Sequence, residues 1–91
     1  MSEISETLTI SNKLGLHARA AAKLVNTASM FRCNLQIERD GQQVNGKSIM
    51  GVMMLAAARG TQITLHLDGE QAQACRDALV ELINNKFEEG E

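Results

Sequence analysis

Only two side chains in this 91-residue sequence titrate near neutral pH, His17 and His66, and one of them stands where a helix is about to begin. His17 follows the turn-like segment Asn12-Lys13-Leu14-Gly15-Leu16 and precedes an alanine-rich run. The unpaired N–H groups of that helix's first turn should point past the imidazole. A helix N-terminus disfavours the imidazolium, which keeps the ring neutral and nucleophilic. A phosphate carried by the ring would meet the amides of Ala18, Arg19 and Ala20, with the Arg19 guanidinium adding a charge-assisted contact. Spacing alone leaves a second reading open, a histidine merely packed or hydrogen-bonded at a helix start.

The other reactive residue types point to less. His66 falls on the polar side of an alternating segment and reads as a surface residue. Cys33 and Cys75 each sit in an apolar pattern, with neither a Cys-x-x-Cys motif nor the numbers of a disulfide scaffold, and read as buried thiols. The two histidines and two cysteines show no ligand spacing and no nearby carboxylate pair, so no metal or other cofactor is expected. An acid–base hydrolase would need a second catalytic group, and the stretch around His17 has no acid to supply one.

The elements that must position His17 follow from periodicity. Ile4, Leu8 and Ile10 mark a half-buried strand, and Ala21, Leu24, Val25 and Ala28 make the apolar face of a helix over His17 to about Ser29. Leu35 and Ile37 alternate with polar neighbours before Asp40-Gly41, a two-residue hairpin turn, and Val44 lies on the returning strand. Ser48 is an N-cap candidate for a helix over Ile49 to Arg59, closed by a cation in its last turn and by Gly60. Ile63, Leu65 and Leu67 form a fourth strand. Ala72, Cys75, Leu79, Leu82 and Ile83 carry a last helix from Asp68-Gly69 to about Phe87, with a frayed acidic end beyond it. The order βαββαβα predicts an α+β open-faced sandwich, a four-stranded mainly antiparallel sheet with three helices on one face.

Residues 1–91 are short enough for a single domain. With 44% hydrophobic and 22% charged residues the chain should fold, as a monomer. It has no apolar run near the ~20 residues of a membrane helix, and Met1 to Glu6 lack signal-peptide character, so no membrane insertion and a cytoplasmic location are expected. A net charge of −2 and only two aromatics, Phe31 and Phe87, argue against nucleic acid as a partner. The charge is unevenly spread: residues 1–66 hold seven basic and four acidic side chains, residues 67–91 two and seven. That pattern fits a solvated C-terminal helix or a docking face for an acidic partner.

Asn12-Lys13-Leu14-Gly15-Leu16-His17-Ala18-Arg19, followed by small and apolar residues through Lys23-Leu24-Val25, resembles the active-site signature of the HPr family. Its members are the histidine-containing phosphocarriers of the phosphoenolpyruvate-dependent phosphotransferase system. Asn45-Gly46-Lys47-Ser48-Ile49-Met50-Gly51-Val52-Met53 is similar to the segment around that family's regulatory serine, and the element order agrees over nearly the whole chain. The resemblance implies a relay, not an enzyme. Phosphorylated enzyme I passes a phosphoryl group to His17, by analogy at Nδ1, and phospho-His17 hands it to a IIA-type acceptor, with Arg19 steadying the charge. It also implies a regulatory role for Ser48 where the host has an HPr kinase/phosphorylase. Partners would dock on Ile49, Met50 and Met53, with Lys23, Lys47 and Arg19 around them. Where the family has proline after the arginine, this chain has Ala20, which restores an N–H early in the helix. Two alternatives remain: the carrier of the nitrogen-related branch, and an interaction module that no longer transfers phosphate.

Overall fold

A computed structural model describes residues 3–89. Its elements are β1 (Ile4–Thr9), α1 (Ala18–Ala28), β2 (Asn34–Arg39), β3 (Gln42–Asn45), α2 (Ile49–Met54), β4 (Gln62–Asp68), α3 (Ala72–Asn84) and a terminal 3-10 turn (Lys86–Glu88). The strands form one sheet in the order β1-β4-β2-β3, and every neighbouring pair is antiparallel. Register puts Leu8 opposite Ile63, Leu35 opposite Leu67 and Ile37 opposite Leu65, so one face of the sheet is apolar and carries the three helices.

The opposite face is polar. There His66 lies across from Ser5 on one side and Gln36 on the other, and its Nε2 is 2.8 Å from Glu38 Oε1. His66 thus points away from the helices, as its alternation predicts. The expected hairpin is present, with Asp40 at φ 51° and Gly41 at φ 84°, the paired positive angles that Asp-Gly supplies readily. Cys75 is fully buried, whereas Cys33, expected to be buried, is only half-buried at the rim of the core.

Two segments depart from the sequence reading. The second helix stops at Met54, not Arg59, because Ala56 takes φ 51° and turns the chain. That turn brings the Ala57 carbonyl to the Leu16 N–H at 2.9 Å, and Arg39 Nη1 donates to the Leu55 carbonyl at 2.9 Å. A continuous helix would carry Ala57 away from Leu16, so tertiary packing overrides the helix preference of three consecutive alanines. Of the acidic end expected to fray, Glu88 and Glu89 are held against the fold, and Gly90 and Glu91 lie outside the described residues. After α3 ends at Asn84, Lys86, Phe87 and Glu88 all take positive φ, 54°, 54° and 63°, and Phe87 drops fully buried into the core. Three such angles outside glycine are strained, and burying the Phe87 ring offsets that strain.

Gly15 has the tightest backbone requirement. Its φ is +68°, and an added Cβ would lie 2.5 Å from the Ala57 carbonyl oxygen and 2.9 Å from Ala58 Cα. Gly41 has a similar φ of +84° but nothing within 4 Å of an added Cβ. Gly41→Ala should therefore cost about 1 kcal/mol from backbone strain alone, and Gly15→Ala clearly more because it adds a collision with backbone. Paired thermal or urea melts measure the difference, and equal losses would show that the Gly15–Ala57 approach is slack.

Candidate functional site

His17 is the N-cap residue of α1, with φ −76° and ψ 179°, and its side chain makes no capping bond. The first intrahelical bond runs from the Ala21 N–H to the His17 carbonyl at 2.8 Å, so the N–H groups of Ala18, Arg19 and Ala20 have no helical carbonyl to bond. No acid lies in the first turn to neutralise that end. The start of the helix is held from below: Ala20, Ala21 and Leu24 are fully buried, and Leu16 is tied to Ala57. Ala20 therefore fills the core through its methyl group while its N–H stays at the helix opening.

A cavity of about 630 Å³ opens over this terminus, and its charged lining is Lys13, His17, Arg19 and Lys23 against Glu88 and Glu89. The two acids are what sequence reasoning missed. Glu89 is 72 residues from His17 in sequence, yet the terminal turn brings its Oε2 to 2.6 Å from His17 Nε2. A carboxylate can only accept, so Nε2 carries the proton of this bond. The second carboxylate oxygen, Oε1, accepts from Asn12 Nδ2 at 3.0 Å, and the same Nδ2 also donates to the Gly15 carbonyl at 2.8 Å. Asn12 is completely buried, and the Glu89 side chain is 12% exposed against 27% for His17. Burial works against the charge on Glu89. The hydrogen bonds from Asn12 and His17, with the nearby Lys23 charge, outweigh it and hold the carboxyl below the ordinary carboxylate range.

Among the other expected site residues, Arg19 is exposed at the cavity. Lys23 is half-buried and donates to the Phe87 carbonyl at 2.7 Å, with Glu88 Oε1 at 3.7 Å, so it clamps the terminal turn to α1. Lys47 is likewise half-buried and donates to the Phe31 carbonyl at 2.8 Å. Ser48 caps α2, its Oγ accepting from the Gly51 N–H at 3.1 Å. Ile49, Met50 and Met53 are exposed, Met50 at 74%, and Leu14 and Met54 join them as large exposed apolar side chains. No group of three or more candidate metal ligands exists among the described residues. No helix among them is long and apolar enough to cross a membrane.

A histidine at a helix terminus, beneath a cavity lined by cations and two glutamates, on an open-faced βαββαβα sandwich, agrees with the phosphoryl-carrier class that the sequence resembles. The family described as "PTS HPr component phosphorylation site" matches residues 4–85, and the chain belongs to this HPr family of phosphocarriers of the phosphotransferase system. Among curated relatives, Phosphocarrier protein HPr of Pseudomonas putida is 61% identical over 92% of this chain and 94% of its own. The protein of the same description from Pseudomonas aeruginosa is 58% identical with the same coverage. A crystal structure of HPr-C-His from Thermoanaerobacter tengcongensis superposes with a TM-score of 0.90 at 45% identity, covering 98% of both chains.

The lowered Glu89 carboxyl has a consequence for stability. A group whose folded pKa is depressed contributes stability above its unfolded pKa and loses it as pH falls through the folded value. The stability difference between the parent chain and Glu89→Gln should thus be present at pH 7 and shrink through the acid range below the ordinary carboxylate value. Melts of both proteins across pH 2–7 check it (roughly the carboxylate range and above). A difference independent of pH would mean that the Glu89 charge is not held by the fold.

Proposed function

We propose that this chain carries phosphoryl groups on His17, accepting them from phosphorylated enzyme I and passing them to a IIA-type acceptor. The observation that best supports this is the placement of His17 at the start of α1, with no acid in the helix's first turn, three N–H groups that have no helical carbonyl to bond, and Arg19 on the same cavity. In the accepting step a ring-nitrogen lone pair forms the N–P bond while phosphorus leaves the donor, which keeps the electron pair. The passing step is the reverse, with the IIA-type protein supplying the new nucleophile. Such transfers need positioning and charge stabilisation more than covalent machinery, and the helix end and Arg19 offer both.

Partners would dock beside the site on the exposed apolar side chains of α2, Ile49, Met50 and Met53, with Leu14 at the cavity edge extending the surface. Arg19 is its exposed cation, while Lys23 and Lys47 reach it with part of their bonding already committed to backbone carbonyls. Ser48 would be regulatory through the same surface. A phosphate there adds roughly −1.5 to −2 charge between Ile49, Met50 and the rest of the patch, at a helix start that tolerates it structurally.

Incubation with phosphoenolpyruvate and enzyme I, read by intact mass, tests the reading. One acid-labile phosphoryl group is expected on the parent chain and on His66→Ala, and none on His17→Ala. Arg19→Ala should keep the parental melting temperature and slow transfer on the order of 100-fold. Phosphorylation that survives His17→Ala, or no uptake by the parent chain, would overturn the proposal; the latter result would favour a non-transferring interaction module.

A further inference from the structure

We infer that Glu89 is a positioning residue for phosphoryl transfer: anchored on Asn12, it holds the Nε2–H of His17 and thereby leaves Nδ1 as the ring atom that takes phosphorus. The inference rests on His17 being the acceptor. A neutral imidazole has one N–H, so a carboxylate that takes that hydrogen at Nε2 places the lone pair on Nδ1. No partner for Nδ1 is found among the described residues, whereas Nε2 faces Glu89 Oε2 at 2.6 Å.

The contact is built, not incidental. Glu89 Oε1 is tied to the fully buried Asn12, whose amide is fixed in turn by the Gly15 carbonyl. The chain that delivers Glu89 is anchored by the buried Phe87 ring and by Lys23 on the Phe87 carbonyl. Its neighbour Glu88 is 65% exposed on its side chain and, among the described residues, pairs with Lys23 at 3.7 Å. Of two adjacent glutamates, one is therefore engaged with the imidazole and the other supplies an internal control.

The same carboxylate serves both directions of transfer. When the Nδ1 lone pair bonds phosphorus and the donor withdraws with its electron pair, the proton on Nε2 remains. The ring becomes a phosphorylated imidazolium, and its new positive charge faces Glu89. In the outgoing step the N–P bond breaks, its electron pair returns to Nδ1, and the ring is again neutral with Nε2–H in place. A carboxylate orienting a histidine from its far nitrogen typically carries a 10- to 100-fold effect when removed in metal sites, and an effect on the order of 10-fold is expected here.

The test uses the whole chain as Glu89→Ala, Glu89→Gln and Glu88→Gln. Long-range 1H–15N spectra of the His17 ring report the tautomer, and rapid-quench rates with phosphorylated enzyme I report transfer. Glu89→Ala should move the ring nitrogen shifts toward a mixture of tautomers and slow transfer about 10-fold. Glu89→Gln, which keeps an acceptor oxygen without the charge, should retain the tautomer and recover only part of the rate. Glu88→Gln should keep the parental ring shifts. Parental ring shifts in Glu89→Ala would overturn the inference, whether or not its rate falls, and so would displaced ring shifts in Glu88→Gln. Failure of the parent chain to accept phosphate at all would instead refute the carrier reading, and the ring spectra would still decide the tautomer.

Discussion

Three backbone N–H groups at the start of α1 have no helical carbonyl to bond, and the arrangement around His17 depends on keeping them open yet immobile. Openness comes from the absence of an acid or a side-chain cap in the first turn. Immobility comes from packing: Ala20, Ala21 and Leu24 bury the underside of the turn, and the Gly15 backbone approaches Ala57 and Ala58 too closely for any side chain. The early end of α2 belongs to the same constraint, since only a turned chain at Ala56 can present the Ala57 carbonyl to Leu16. A helix dipole is useful to a transferred phosphoryl group only if its end does not wander, and a rigid buttress meets that need.

Electrostatically the terminus is a basic recess that the chain partly fills from its own far end. Lys13, Arg19 and Lys23 line it, and the terminal turn lays Glu88 and Glu89 against it. Glu89 is engaged by the imidazole on the Nε2 side. The charge asymmetry along the sequence is thus not a simple division into a basic face and a remote acidic end. Two of the C-terminal acids fold back onto the basic part.

The order of elements, the inward residues of every strand and the apolar face of α1 are legible from periodicity, because each depends on local spacing against one sheet. The place of His17 at the start of α1 and the Ser48 cap of α2 are legible for the same reason, since helix starts have short-range signatures, whereas a phosphoryl role for His17 and Arg19 comes from the family resemblance. What local spacing could not carry was set by distant contacts. Helix propensity extends α2 over Ala56 to Arg59, and the demand of Leu16 for a carbonyl cuts it short. Glu88 and Glu89 look like a solvated tail until Phe87 is seen to anchor the turn, and strained positive φ at three non-glycine residues has no sequence signal. Asn12 did stand within the motif around His17, but nothing nearby in sequence reveals that its amide is buried and aimed at Glu89.

On the proposed reading, one ring nitrogen of His17 is offered to phosphorus and the other is held by Glu89. The most direct measurement is phosphorus–nitrogen coupling in the 15N-labelled chain after charging with phosphoenolpyruvate and enzyme I. The expected spectrum has a single phosphohistidine, His17, coupled through Nδ1, with the Nε2 proton retained. Phosphorus on Nε2 of His17, or on any other residue, would contradict the account.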